Sequence, residues 1–169
     1  SLVINTTTKS GLGLTQPKGD VEAEYGSFGT ISGRATMGVG TENTGWFLAA
    51  NGIRSGRFLD TPEFTALHAK GNNQSLFNRF DFNPDSKDAF HVNVFFARNW
   101  FQTPNTFDQP DQDQRQKVLT YNIAPGYQRT ISARALLTIN PFIRQDRVNY
   151  YPSDADTPLT LSQDRHLTN

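Results

Sequence analysis

The stretch AFHVNVFFARNW, Ala89 to Trp100, decides how the rest of the chain is read. Phe90, Val92, Val94 and Phe96 stand at every second position, with His91, Asn93 and Ala97 between them. Side chains on a strand point alternately to opposite faces, so this strand has one oily face and one largely polar face. An ordinary antiparallel sheet lays the oily face on a core. A membrane barrel turns it to lipid and keeps the polar face in a wet lumen.

The same alternation runs outward in both directions. Strands are expected over Leu2–Lys9, Val21–Phe28, Thr30–Gly40, Trp46–Ile53, Gln74–Phe82, Lys117–Gly126 and from Ile131 to about Arg144. In Thr30–Gly40 the apolar set is Ile31, Ala35, Met37 and Val39, set against Ser32, Arg34 and Thr36. The facing of Trp46–Ile53 stays open, because Trp46/Leu48/Ala50 and Phe47/Ala49/Ile53 are equally apolar. One short helix is expected in TPEFTALHAKG, with Thr61 as cap, Pro62 at the first position and Gly71 as stop. Short turns (TENTG, NPDSKD, YQRT) alternate with long connections (about 54–73, 101–115 and beyond 145). Strands of this length, with long loops at one end only, are the pattern of outer-membrane barrels.

Composition narrows the classes. The chain has 169 residues, 36% of them hydrophobic, with 13 Phe and a formal net charge of zero. A neutral balance gives no general attraction for nucleic acid. There is no Cys, hence no disulfide framework and no thiolate metal site. No run approaches the roughly 18 apolar residues of a membrane-spanning helix. The chain opens directly on SLVINTTTKSG without a signal peptide, which reads as a boundary inside a longer protein.

Catalytic chemistry is not visible. His68, His91 and His166 lack paired spacing for zinc. GSFGTISG has no nucleophile elbow, and GLGLTQPKG lacks the Gly-Lys-Ser/Thr of a phosphate loop. Asp108, Asp111 and Asp113 in DQPDQDQ lack the glycine and distal Glu of a calcium loop, so they read as solvated. The expectation is no enzyme, no cofactor and no metal.

SLVINTTTKSG resembles the segment that closes the plug of TonB-dependent outer-membrane receptors. GDVEAEYGSFGTISGRATMGVG is similar to the first barrel hairpin of that family, and NRFDFNPDSKDAFHVNV to a strand, periplasmic turn and strand. The resemblance implies an all-β antiparallel up-and-down meander, about seven strands from the N-terminal part of a 22-stranded transmembrane β-barrel (about 22 strands in such transporters). It assigns residues 1–12 to the end of the plug domain and 19–169 to the barrel. It further implies energy-coupled uptake of a scarce nutrient (siderophore, vitamin B12 or oligosaccharide class) at the bacterial outer membrane. The implied partners are outer-membrane lipid, the plug of the same chain, the TonB energy-coupling complex through a region outside this sequence, and a small nutrient ligand, with no nucleic acid. The alternative is a secreted antiparallel β-sandwich binding module of carbohydrate-binding type, whose loop aromatics touch the ligand.

Candidate ligand-binding residues are the polar side chains of the lumen-side strand faces and the loop ends: Arg34, Arg79, Asp81, His91, Asn93, Trp100, Arg134 and Arg144. An Arg at a lipid midplane costs about 2–4 kcal/mol, so on the barrel reading Arg34, Arg79, Arg134 and Arg144 share one face with His91 and Asn93. Phe95 is the apolar exception on that face.

Overall fold

The computed structural model describes residues 8–62, 64–65, 67–155 and 163–168. They form one antiparallel sheet of nine strands: β1 (Lys18–Gly26), β2 (Thr30–Gly40), β3 (Thr44–Ser55), β4 (Gly71–Phe82), β5 (Asp88–Gln102), β6 (Arg115–Ser132), β7 (Ala135–Ile139), β8 (Ile143–Tyr151) and β9 (Gln163–Thr168). Each of β1 to β6 lies beside its sequence neighbour; β7 and β8 both pair with β6, and β9 pairs with β8. The sheet is open, with β1 and β9 at its two ends.

That openness corrects the expected architecture. A membrane-spanning barrel must close on itself so that no strand edge is left unpaired. Here β1 and β9 do not meet, so the sheet encloses no lumen and no chamber for a plug. The 22-stranded transmembrane barrel is therefore overturned, and nine strands stand where about seven were expected. No helix among the described residues is long and apolar enough to cross a membrane.

Register settles which residues share a face. Phe47 pairs with Arg79 and Gly38, and Ala49 with Phe77, so Phe47, Ala49 and Ile53 join the polar face. Trp46, Leu48 and Ala50 join the apolar one. Aromatic rows knit that apolar face across strands: Phe90 stacks on Tyr127 at 4.6 Å, and Phe96 meets Tyr121 at 5.3 Å. Such cross-strand pairs, more than a buried core, stabilise the sheet. Phe47 and Ala69 are the buried apolar side chains among the described residues.

Two local expectations change. No helix forms among the described residues of 61–71, where bends and a lone bridge from Leu67 to Asn105 stand instead. The YQRT turn is absent: β6 runs straight through it to Ser132, and the reversal falls at Ala133 and Arg134. The long strand expected from Ile131 is thereby divided. Tyr127 pairs with Ile139 and Ile123 with Ile143, a constant register that sets Pro125 opposite Pro141. Neither proline has an N–H to give the ladder, so the strand breaks into β7 and β8 at that point.

Before β1, the SGLGL segment lies against the polar face. Gly13 N donates to Thr41 O at 2.8 Å, and Gly40 N donates to Leu14 O at 2.7 Å. The backbones approach closely enough that a Cβ on Gly45 would lie 2.3 Å from Leu12 N, and one on Gly11 2.1 Å from Trp46 O. Expected strand residues 2–7 lie outside the described residues; Thr8 and Lys9 belong to no strand.

Candidate functional site

Two neighbouring cross-strand rows on the polar face build the site. One runs Phe47–Arg79–Asn93–Ala124, the next Gly45–Asp81–His91–Gly126. Because Arg79 and Asp81 are two apart on β4, both project to the same face, and Arg79 Nε donates to Asp81 Oδ1 at 2.9 Å. The pair is tied to the N-terminal segment: Ser10 Oγ donates to Asp81 Oδ2 at 2.5 Å, and Arg79 Nη1 donates to Thr8 Oγ1. Asp81 is buried, and Arg79 keeps only 16% of its side chain exposed. A buried carboxylate of this kind is retained because its charge is matched and its lone pairs are filled.

Beside this pair opens a recess of about 780 Å³, walled by His91, Asn93, Gln128, Asn140 and Phe142. His91 lies over Gly126: a Cβ there would come within 2.1 Å of His91 Cε1 and 2.9 Å of Asn140 Oδ1. The glycine makes the space that the imidazole fills. Burial pushes the His91 pKa below its usual range, the Arg79 guanidinium adds to the effect, and Asp81 opposes it. His91 is thus neutral at pH 7, with one ring nitrogen donating and the other accepting.

Asn93 supplies the decisive detail. Its Oδ1 is buried and has no hydrogen-bond partner, the one such side-chain atom among the described residues. An unmatched buried acceptor costs about 1–3 kcal/mol, and such groups in native folds call for a functional account.

Of the eight residues expected from sequence, Arg79, Asp81, His91 and Asn93 come together here. The other four do not. Arg34 pairs with Glu22 at 2.5 Å on the same face but toward the β1 edge. Arg144 shares the face and pairs with Asp146 at 2.8 Å. There Thr120 first and Arg144 second hold the Asp146 carboxyl below its usual range. Arg134 sits in the β6–β7 reversal, which corrects its assignment to the polar strand face. Trp100 pairs with Asn72 and so belongs to the opposite face.

Asn140, Phe142, Gln128 and Gly126 were missed. Gln128 alone carried a usable sign, its even-number spacing from Asn122 and Gly126. The other three become neighbours of His91 only through the long-range register of β6. Among the described residues no group of three His, Asp or Glu side chains is placed to hold a metal ion. The Asp108–Asp113 loop is engaged internally, with Asp113 accepting from Gln102 Nε2 at 2.6 Å and from Arg115.

No protein-family model, curated protein or solved structure matches the chain. Combined with the open sheet, this overturns the likeness to TonB-dependent receptors. Short stretches such as YGSF and NPDSKD arise wherever strands meet tight turns, and their order proved insufficient to mark the family. The readings that hung on it fall with it: nutrient uptake, the outer-membrane location, and the lipid, plug and energy-coupling partners.

Proposed function

We propose that this chain is a non-catalytic antiparallel β-sheet binding module whose recess takes an uncharged, polyhydroxylated ligand of the saccharide class. Asn93 lines the recess and carries the reading: its Oδ1 is buried without a hydrogen-bond partner, so a turn of the amide toward the recess offers this acceptor to an O–H or N–H donor. Around it stand groups that both give and accept hydrogen bonds without net charge: neutral His91 and the amides of Gln128 and Asn140. Sugar hydroxyls, which also give and accept, suit such an array. Phe142 and Pro125 add apolar surface, and the volume lies within the roughly 300–1,000 Å³ of ordinary ligand pockets.

The one charged pair in the site argues against an ionic ligand. Arg79 and Asp81 neutralise each other, and each also bonds a hydroxyl of the N-terminal segment, Arg79 that of Thr8 and Asp81 that of Ser10. The same bonds support the non-catalytic reading: Thr8 and Ser10 bond the ion pair, and among the described residues no hydrogen bond joins either hydroxyl to His91, the nucleophile–base contact that covalent catalysis needs.

Calorimetric titration with a panel of neutral oligosaccharides, on the wild type and on Asn93→Leu, tests the reading. The expected result is saturable binding of at least one neutral sugar, weakened at least tenfold by the substitution. Binding indifferent to Asn93→Leu, or no binding of any panel member at millimolar concentration, overturns it.

A further inference from the structure

A second cavity of about 780 Å³ opens on the opposite, apolar face, at the end of the sheet that carries the long loops. One cross-strand row forms its floor: Tyr25–Ile31–Arg54–Asn72–Trp100, spanning β1 to β5. The β1–β2 connection forms one wall. There Phe28 adopts φ 60° and ψ 29°, a left-handed backbone that bulky residues rarely hold. Gly56 N donates to Phe28 O at 2.9 Å and ties the turn to the end of β3. The Phe28 ring stays 62% exposed, with the Arg57 guanidinium 5.3 Å from its centre. Strain held at an exposed aromatic points to a functional placement of that ring.

Charge distinguishes this cavity from the recess on the other face. Among the described residues Arg54 and Lys70 line it, no Asp or Glu does, and neither cation has an ion-pair partner. Bonded to two lining residues, Arg98 Nη1 donates to Asn72 Oδ1 at 2.7 Å and to Gln74 Oε1 at 3.0 Å, a third cation with no carboxylate partner among the described residues. The chain as a whole has zero formal net charge, so this is a local excess set against carboxylates used elsewhere.

We infer that this cavity is a second binding site, for an anionic saccharide. Its carboxylate or sulfate would meet Arg54 and Lys70, and its sugar face would lie on Trp100 and Phe28. Guanidinium groups match the planar geometry of carboxylate and sulfate oxygens, and aromatic rings offer an apolar platform to the C–H face of a pyranose. A polynucleotide fits less well: the chain has no overall positive charge to steer a polyphosphate.

The test uses oligogalacturonate and heparin-derived hexasaccharides as probes, with a neutral dextrin of equal length and a single-stranded DNA oligomer as comparators. Binding is measured at about 50 and 300 mM salt on wild type, Arg54→Gln, Trp100→Ala and Asn93→Leu, each checked for an unchanged circular dichroism spectrum. Expected is binding of at least one acidic hexasaccharide that weakens with salt, as for any screened charge contact. It should weaken at least tenfold in both Arg54→Gln and Trp100→Ala, and remain unchanged in Asn93→Leu. Three results overturn the inference: no acidic probe binds, the neutral dextrin or the DNA binds Asn93→Leu as tightly as the acidic probe does, or Arg54→Gln has no effect. Should Trp100→Ala disturb the spectrum, Arg54→Gln alone decides, because Arg54 is exposed and its loss leaves no buried group unpaired. Since the neutral-sugar recess lies on the other face and answers to Asn93, failure of one site leaves the other standing.

Discussion

Asn93 burdens the unliganded protein, because a buried carbonyl oxygen without a donor lacks the hydrogen bond it had in water. Replacing it by Leu removes that acceptor at similar volume, so Asn93→Leu is expected to raise stability by about 1 kcal/mol while weakening neutral-sugar binding at least tenfold. Urea midpoints at constant m-value measure the first effect; a fall in stability would show that the amide is satisfied in solution. His91 makes a pH prediction. Its folded pKa is depressed, by burial first and Arg79 second, so below the ordinary value of 6.5 the unfolded chain takes up a proton more readily than the folded one. Its contribution is therefore fully present above 6.5 and is lost as pH falls toward the folded pKa. Stability at about pH 5.5 should drop relative to pH 7.5 in the wild type, and the drop should shrink in His91→Gln. Equal drops in both proteins would remove His91 from the account. Part of this site was legible early: Arg79 and Asp81 two apart on one strand, and His91 and Asn93 two apart on the next, had to share a face. Their partners across β6 depend on a register that no local pattern announces.

At the scale of the element, β6 and its interrupted neighbour shape the recess. Gly126 reads as turn chemistry, which is why the reversal was expected near YQRT. In the fold it is buried mid-strand, and its missing side chain houses His91. Gly126→Ala should push the imidazole aside without breaking the ladder, since the strained contact is to a side chain that can rotate. The expected outcome is a loss of sugar affinity of at least tenfold, with the His91 imidazole resonances shifted and the fold retained. Unchanged resonances would mean that the ring does not lie over Gly126. By contrast, β2 was legible to the residue, Thr30 to Gly40, because strict alternation is bounded there by glycine and the TENTG turn. The break between β7 and β8 was not legible. It needs Pro125 and Pro141 to face each other, and they are distant in sequence.

For the whole molecule, alternation predicted strands and their two faces, but it is silent on whether the sheet closes. Closure depends on whether the first and last strands find each other and on the stagger between them, neither of which a periodicity of two contains. The same rows that look like a lipid belt leave Val21, Tyr25, Phe80, Ile123 and Ile143 exposed on one side of an open sheet. Exposed apolar side chains in such rows, bordered by β1 and β9, which pair with no further strand among the described residues, favour association through both features. The isolated chain is expected to bind a hydrophobic dye strongly and to gain apparent mass with concentration in light scattering. The double substitution Phe80→Lys and Ile123→Glu should reduce both signals. Each residue faces the apolar side and is half exposed, so neither change buries a charge. The recess on the opposite face should keep its affinity for neutral sugar in this variant, because none of its walls is touched. A wild-type chain that stays monodisperse and dye-free at high concentration would show that this face is already covered within the protein, and the open sheet would need a second layer.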